Sequence, residues 1–269
     1  MMKITTKIMV NLTAVLVLGV AGCQSGSKSA VEGKKPDMSA IAVSAFAQRA
    51  MDATGGSAAW ANTEKADLRA VVTIYKGDSY YLTEQQYEVK PWMNWIMVTS
   101  PEPKGTIAWQ LIDMDCSVIA GQENSDRLDM GMSKRDFAEA VRDITTSAVR
   151  LLDMQYNFAE GADAVKAEGQ WYVPITRQAV IAPVSSEAGK KAAVVVPGRW
   201  SKVVFYQRQD SSAVDMIWYA DAAKNQYLMV RGYDYKKLDT GVLVPSRIEL
   251  YSTNAMGISE KQLVKIDAK

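Results

Sequence analysis

The chain has 269 residues, 48% of them hydrophobic, with a formal net charge of +1 and no histidine. The missing histidine excludes Ser-His-Asp and Cys-His catalysis, His-ligated zinc and His proton relays, while carboxylate, lysine and tyrosine chemistry stay open. The near-neutral balance gives no basis for a nucleic-acid partner.

Lys3 and Lys7 make a basic start, and Ile8 to Val20 is mostly apolar, broken by Asn11 and Thr13. That run is shorter than the ~20 residues of a bilayer-spanning helix, so residues 1–22 read as a secretion signal. Small residues lead from it into a cysteine, and Val20-Ala21-Gly22-Cys23 resembles the bacterial lipobox. The resemblance implies cleavage before Cys23 and acylation of its thiol with chains such as palmitate. Each buried CH₂ of such an anchor contributes ~0.8 kcal/mol, so several chains together hold the protein stably on a membrane. Gln24, rather than Asp, follows the cysteine, which in bacterial lipoproteins implies the outer membrane, facing the periplasm. Loss of Lys3 and Lys7 with the leader turns the formal balance to −1. Cys116 is then left without an intramolecular disulfide partner and reads as a packed apolar thiol.

Ser25 to Asp37 is rich in Ser, Gly and Lys without apolar periodicity, so residues 23–37 form a flexible tether. From Met38 to Ala53, Ile41, Ala45, Phe46, Ala47, Ala50 and Met51 predict a helix, stopped by Gly55-Gly56. Strand periodicity follows over Leu68–Tyr75, Tyr80–Val89, Trp92–Thr99 and Thr106–Ile112, with short turns at Lys76-Gly77-Asp78 and at Pro101 to Gly105. Short links argue for an antiparallel meander, since parallel pairing needs long crossovers. Ser133 caps a second helix, in which Phe137, Val141, Ile144, Ala148 and Leu151 fall at helical spacing and Arg135, Arg142 and Arg150 take polar positions. This helix reads as packed on the sheet or as a lid over a cavity.

Strands return over Gln170–Ala179, Lys202–Gln209, Ala213–Tyr219, Gln226–Tyr233, Val242–Tyr251 and Lys261–Ile266. Ala222 to Asn225 reads as a hairpin connection. Ala182 to Arg199 reads as a long linker, with Val194, Val195 and Val196 as an exposed apolar loop that touches a membrane or partner. Residues 38–269 form one domain.

Roughly ten or eleven antiparallel strands with one helix before them and one in the middle make the chain mainly β (α+β). That element order resembles the LolA/LolB-like lipoprotein carriers. Gly241-Val242-Leu243-Val244-Pro245-Ser246-Arg247-Ile248-Glu249-Leu250-Tyr251 looks like the family's late V-P-x-x-I-E-L strand, followed by Asn254-Ala255-Met256-Gly257. The resemblance implies a single curved antiparallel sheet forming an open, incomplete β-barrel, its helices packed in or over the concave face around an apolar cavity for acyl chains. Together with the lipobox it implies a non-enzymatic, membrane-anchored lipoprotein that binds acyl chains of a lipid or lipoprotein for transfer or reception in the cell envelope.

An enclosing barrel needs bulky inward residues at period two. Met93, Trp95 and Met97 alternate this way, as do Met216 and Trp218, and are the expected cavity residues. Phe137, Val141 and Ile144 are the expected mouth or lid. The same residues would equally fill an ordinary β core, in a structural envelope lipoprotein with protein partners only. A carboxylate-dependent glycan hydrolase is the remaining alternative, needing Asp113 and Asp115, read on the same side of one strand, to converge with Asp153 or Glu160. Trp171-Tyr172 near Arg177 suits a flat ligand or a half-buried strand. Tyr233-Asp234-Tyr235-Lys236-Lys237 suits a lipid headgroup or a solvated strand end. No glycine-rich phosphate loop, CxxC pair or clustered metal ligands occur, so no catalytic residue, metal or cofactor is expected.

Overall fold

The first helix, α1 (Ala45–Ala53), begins where Ser44 accepts the Ala47 N–H at 3.4 Å and buries Ala47, Ala50 and Met51. The computed structural model describes residues 43–121, 128–153, 156–179, 181–184, 192–195 and 199–269, with the backbone alone at 179, 181–184 and 192–195. Residues 38–42 of the expected helix lie outside the described residues, and Val43 and Ser44 precede α1. Gly55-Gly56 ends α1 as expected but also starts a short helix, α2 (Ser57–Ala61), with Gly56 as its N-cap. Gly55 has φ +116°, and a Cβ there would lie 2.6 Å from the Gly241 carbonyl oxygen, so only glycine lets the two backbones meet.

The strands are β1 (Ala66–Lys76), β2 (Ser79–Lys90), β3 (Trp95–Glu102), β4 (Gly105–Ile112) and β5 (Asp115–Ala120). Helices α3 (Lys134–Thr145) and α4 (Ser147–Arg150) interrupt them. The second half supplies β6 (Tyr156–Glu160), β7 (Val165–Ala167), β8 (Gln170–Ala179), β9 (Ile181–Val184), β10 (Ala192–Val195) and β11 (Lys202–Arg208). It closes with β12 (Val214–Asp221), β13 (Gln226–Lys237), β14 (Leu243–Thr253) and β15 (Ser259–Ala268).

Thirteen of these strands form one sheet in the order β5-β4-β3-β2-β1-β15-β14-β13-β12-β11-β8-β6, with β7 on β8. The first and last strands pair at its centre, Val72 opposite Ile266 and Ile74 opposite Val264, and all four side chains are buried. Along β1 the inward row Ala66, Leu68, Ala70, Val72 and Ile74 alternates with more exposed residues, the period-two pattern of a sheet with one face on a core. Edges β5 and β6 are not paired with each other, so the sheet is open. Helix α3 touches β3 and β4 on one arm and β12, β13 and β14 on the other, so the sheet curves around it.

Several expectations need correction. The strand count exceeds ten or eleven in part because β5, β6 and β7 are short and carry no fully buried residue. The expected linker from Ala182 to Arg199 contains the hairpin of β9 and β10, with Val195 opposite Ile181. The Trp92–Thr99 strand starts only at Trp95, because Pro91–Met93 is a 3-10 turn closed by Asn94 at φ 53°. Asp113 and Asp115 do not share a strand: Asp113 sits at φ 51° in the turn between β4 and β5, and Asp115 starts β5. The Ala222–Asn225 connection is as expected, a 3-10 turn ending on Asn225 at φ 51°.

Candidate functional site

Helix α3 is the element that both the sequence and the curvature of the sheet single out. Ser133 Oγ accepts the Asp136 N–H at 3.0 Å, satisfying one orphan donor of its first turn. Phe137, Val141 and Ile144 then fall on one face by the 3.6-residue period, and each is 0–1% exposed. The Phe137 ring lies 6.3 Å from Tyr87 of β2 and 6.2 Å from Trp109 of β4. Ile144 reaches the opposite arm at Gly232 of β13, where an added Cβ would stand 3.2 Å from its Cγ1. Each such side chain contributes about 1.5–3 kcal/mol by burial, so apolar packing holds the helix in the curve.

The other side of α3 is charged and equally buried. Arg142 places Nε 3.0 Å and Nη2 2.9 Å from Asp143 Oδ1, and Tyr219 of β12 donates to Asp143 Oδ2 at 3.1 Å. Arg142 Nη1 also donates to the main-chain carbonyls of Asn94 at 3.2 Å and Asp113 at 3.3 Å. Arg150 of α4 donates to the Asn94 side chain and the Pro91 carbonyl. From the far edge of the sheet, Arg177 of β8 comes within 3.7 Å of Glu139 and lies over the Tyr156 ring of β6 at 4.4 Å. Ion pairs and hydrogen bonds from α3 and α4 thus reach both arms where the strand ladder leaves β5 and β6 apart.

A cleft of about 470 Å³ opens at the N-terminal end of α3. Trp200, Leu228 and Leu263 line it and belong to the same apolar core as Phe137, Val141 and Ile144. Its polar wall includes Asp136, held by Arg199 Nε and Nη2 at 3.1 Å each; Arg199 Nη1 also reaches Asp221 at 3.4 Å. Trp200 lies 5.5 Å from the Tyr219 ring, which links this cleft to the charged side of the helix.

The expected cavity residues are not brought together. Trp95 and Met97 are half-buried on the outer face, because Ile96 and Val98 take the inward positions of β3. Trp95 carries Lys90 4.6 Å above its ring and donates to Gln110 at 3.2 Å. Met93 sits in the 3-10 turn. Met216 and Trp218 point away from α3 into a second apolar cluster with Tyr172, Val204 and Met229, while Ile217 and Tyr219 face the main core. The apolar runs of β3 and β12 are continuous, so period two alone could not choose their inward phase. Cys23 and Val196 lie outside the described residues, and Val194 and Val195 belong to β10.

The remaining candidates also separate. Cys116 is half-buried against the core, as expected of a packed thiol. Trp171 is 52% exposed with Lys166 5.9 Å from its ring, whereas Tyr172 turns into the outer cluster and Arg177 turns inward. Asp113 and Asp153 line one small space with Arg142 and Arg150, and Asp153 approaches Arg150 at 3.8 Å. Glu160 instead pairs with Arg49 of α1 at 2.6 Å. Lys236, in the Tyr233–Lys237 stretch, donates to the Lys269 carbonyl at 2.9 Å. Glu139, Arg142, Asp143 and Arg177 were not legible as a buried group. The available signal was the i, i+3, i+4 spacing of the first three, which puts them on one face of α3.

No protein-family model and no curated protein matches this chain. Among solved structures it is similar to a LolA superfamily protein from Nitrosomonas europaea, at 12% identity and TM-score 0.53 over 83% of this chain and 90% of that one. It is also similar to a DUF1329 family protein from Desulfovibrio piger, at 13% identity and TM-score 0.46 over 84% and 90%. A domain from Vibrio parahaemolyticus, titled a putative outer membrane lipoprotein-sorting protein, aligns at 10% identity and TM-score 0.44 over 83% and 88%. With its large open antiparallel sheet curved around a central helix, the chain has a LolA-like fold.

Proposed function

We propose that this chain is a membrane-anchored envelope lipoprotein that holds acyl chains of a lipid or lipoprotein between α3 and the curved sheet. The observation that carries the reading is the cleft at the N-terminal end of α3: its Trp200, Leu228 and Leu263 are continuous with the core beneath the helix. An acyl chain enters there and extends inward as Phe137, Val141 and Ile144 give way, driven by ~0.8 kcal/mol for each buried CH₂ and by no covalent chemistry. The anchor is Cys23, and the location is the outer membrane facing the periplasm.

Mass spectrometry of lipids extracted from residues 24–269, expressed in a bacterial host and purified without detergent, tests the cavity. A stoichiometric acyl lipid is expected, lost in Leu263→Trp, which fills the cleft. Labelled palmitate incorporated by the full chain and absent from Cys23→Ala tests the anchor. The complete burial of Phe137 and Val141 favours a second reading, a structural envelope lipoprotein with a filled core. A lipid-free protein that also takes up no fluorescent fatty acid selects that one.

A further inference from the structure

Two carboxylates lie one helical turn apart on the buried side of α3, and they are served unequally. Asp143, 0% exposed, takes the Arg142 guanidinium and the Tyr219 hydroxyl at 2.9–3.1 Å. Glu139 is 3% exposed and meets Arg177 at 3.7 Å, beyond hydrogen-bond reach. Like charges at i, i+4 repel on any helix, and more strongly out of water. The other groups facing Glu139 are Arg135 and Arg142 on its own helix, Tyr156 of β6 and Tyr219 of β12, with Asp113, Arg150 and Asp153 in the same small space.

We propose that Glu139 is a proton-operated spring beneath α3: ionised, it favours release of the helix from the curve of the sheet, and protonated, it lets the helix seat. Burial, and then the neighbouring Asp143, raise the Glu139 pKa above the ordinary carboxylate value, against the lowering pull of Arg177, Arg142 and Arg135. In the released helix the carboxyl returns to water and to its ordinary pKa. The seated form therefore binds the proton more tightly. Seating is favoured below the exposed pKa and weakens as pH rises toward the buried one. One proton is exchanged, so the released population rises by up to about tenfold per pH unit across that window. Arg142 and Arg150 hold the carbonyls of Asn94, Asp113 and Pro91, and those carbonyl contacts do not titrate. Release therefore begins on the β8 side, where Arg177 is the ion-pair contact to Glu139.

The biological meaning rests on α3 being the moving wall of the proposed acyl site, but the device is read from backbone exchange and not from lipid binding. Hydrogen–deuterium exchange of the intact acylated chain in phosphatidylcholine nanodiscs, from pH 5 to 8 and corrected for intrinsic exchange, reads α3 against the central pair β1 and β15. Falling protection in Lys134–Thr145 with β1 and β15 unchanged is expected. Glu139→Gln should flatten that response and raise α3 protection at pH 8. Protection that does not fall with pH overturns the proposal, as does a parallel fall in β1 and β15. So does a Glu139→Gln helix less protected than wild type at pH 8, because the ionised pair with Arg177 would then be the holding contact. The wild-type series decides the matter alone if the variant does not fold. A pH response in a chain that binds no lipid keeps this inference and removes the acyl reading; the reverse removes this inference only.

Discussion

The Tyr219 hydroxyl of β12 donates to Asp143 Oδ2 of α3 at 3.1 Å, tying the central helix to the far arm of the sheet through two fully buried residues. A hydrogen bond to a charged group is worth about 1.5–3 kcal/mol, more than a neutral one. Tyr219→Phe keeps the ring against Trp200 and removes only the hydroxyl. Urea unfolding should show a loss of that size, with the denaturant slope unchanged.

Arg142 is the more costly member to remove. It serves Asp143 and two main-chain carbonyls at once, and replacing it leaves a buried carboxylate uncompensated. Arg142→Met should destabilise by about 3–5 kcal/mol in equilibrium unfolding. The double variant Arg142→Met with Asp143→Leu should recover part of that loss, since no charge is then left buried alone.

Asp215 gives a pH signature separate from that of α3. It sits at the irregularity where β12 skips a residue against β11, with Arg208 3.5 Å away and its Oδ1 without a hydrogen-bond partner. Burial, opposed by Arg208, pushes its pKa up to about 6. A raised carboxyl pKa means that the folded state holds the proton more tightly. Stability from this group is present below the ordinary aspartate value and is lost as pH rises through about 6. Asp215→Asn should therefore raise the Tm at pH 7.5 and leave it unchanged near pH 4.

Two glycines should respond differently to alanine. At Gly55 the new Cβ would meet the Gly241 carbonyl oxygen at 2.6 Å, a backbone atom that cannot swing aside. At Gly257, φ +77°, it would meet only the Trp218 ring at 3.7 Å, ordinary contact distance. Gly257→Ala should cost about 1 kcal/mol, the penalty of a left-handed conformation. Gly55→Ala should cost more and loosen α2 from the β13–β14 turn. Thermal unfolding of the two variants side by side measures the difference.

Ser133→Ala tests whether local capping matters to a helix so deeply packed. Losing the 3.0 Å bond to the Asp136 N–H should lower stability by about 1 kcal/mol in urea unfolding.

The sequence by itself determined the order of the two main helices and the long strands, because those depend on local periodicity. Alternation in Leu68 to Tyr75 and helical spacing from Phe137 to Ile144 each report which side of one element seeks the core. The Ser133 cap was legible for the same reason, as its partner is three residues away. Which face of β3 and β12 turns inward was decided only by tertiary structure. Both faces of those strands are apolar, and the choice falls to neighbours remote in the chain, which put Ile96 and Ile217 inside and Trp95 and Trp218 outside. The buried group of Glu139, Arg142, Asp143 and Arg177 was hidden for a related reason. Charges on a helix ordinarily mark its wet side, and these are dry only because the curved sheet brings β8 and the Asn94 and Asp113 carbonyls over them. Local periodicity carries no information about contacts between distant segments, and in an open sheet closed by side chains those contacts decide the site.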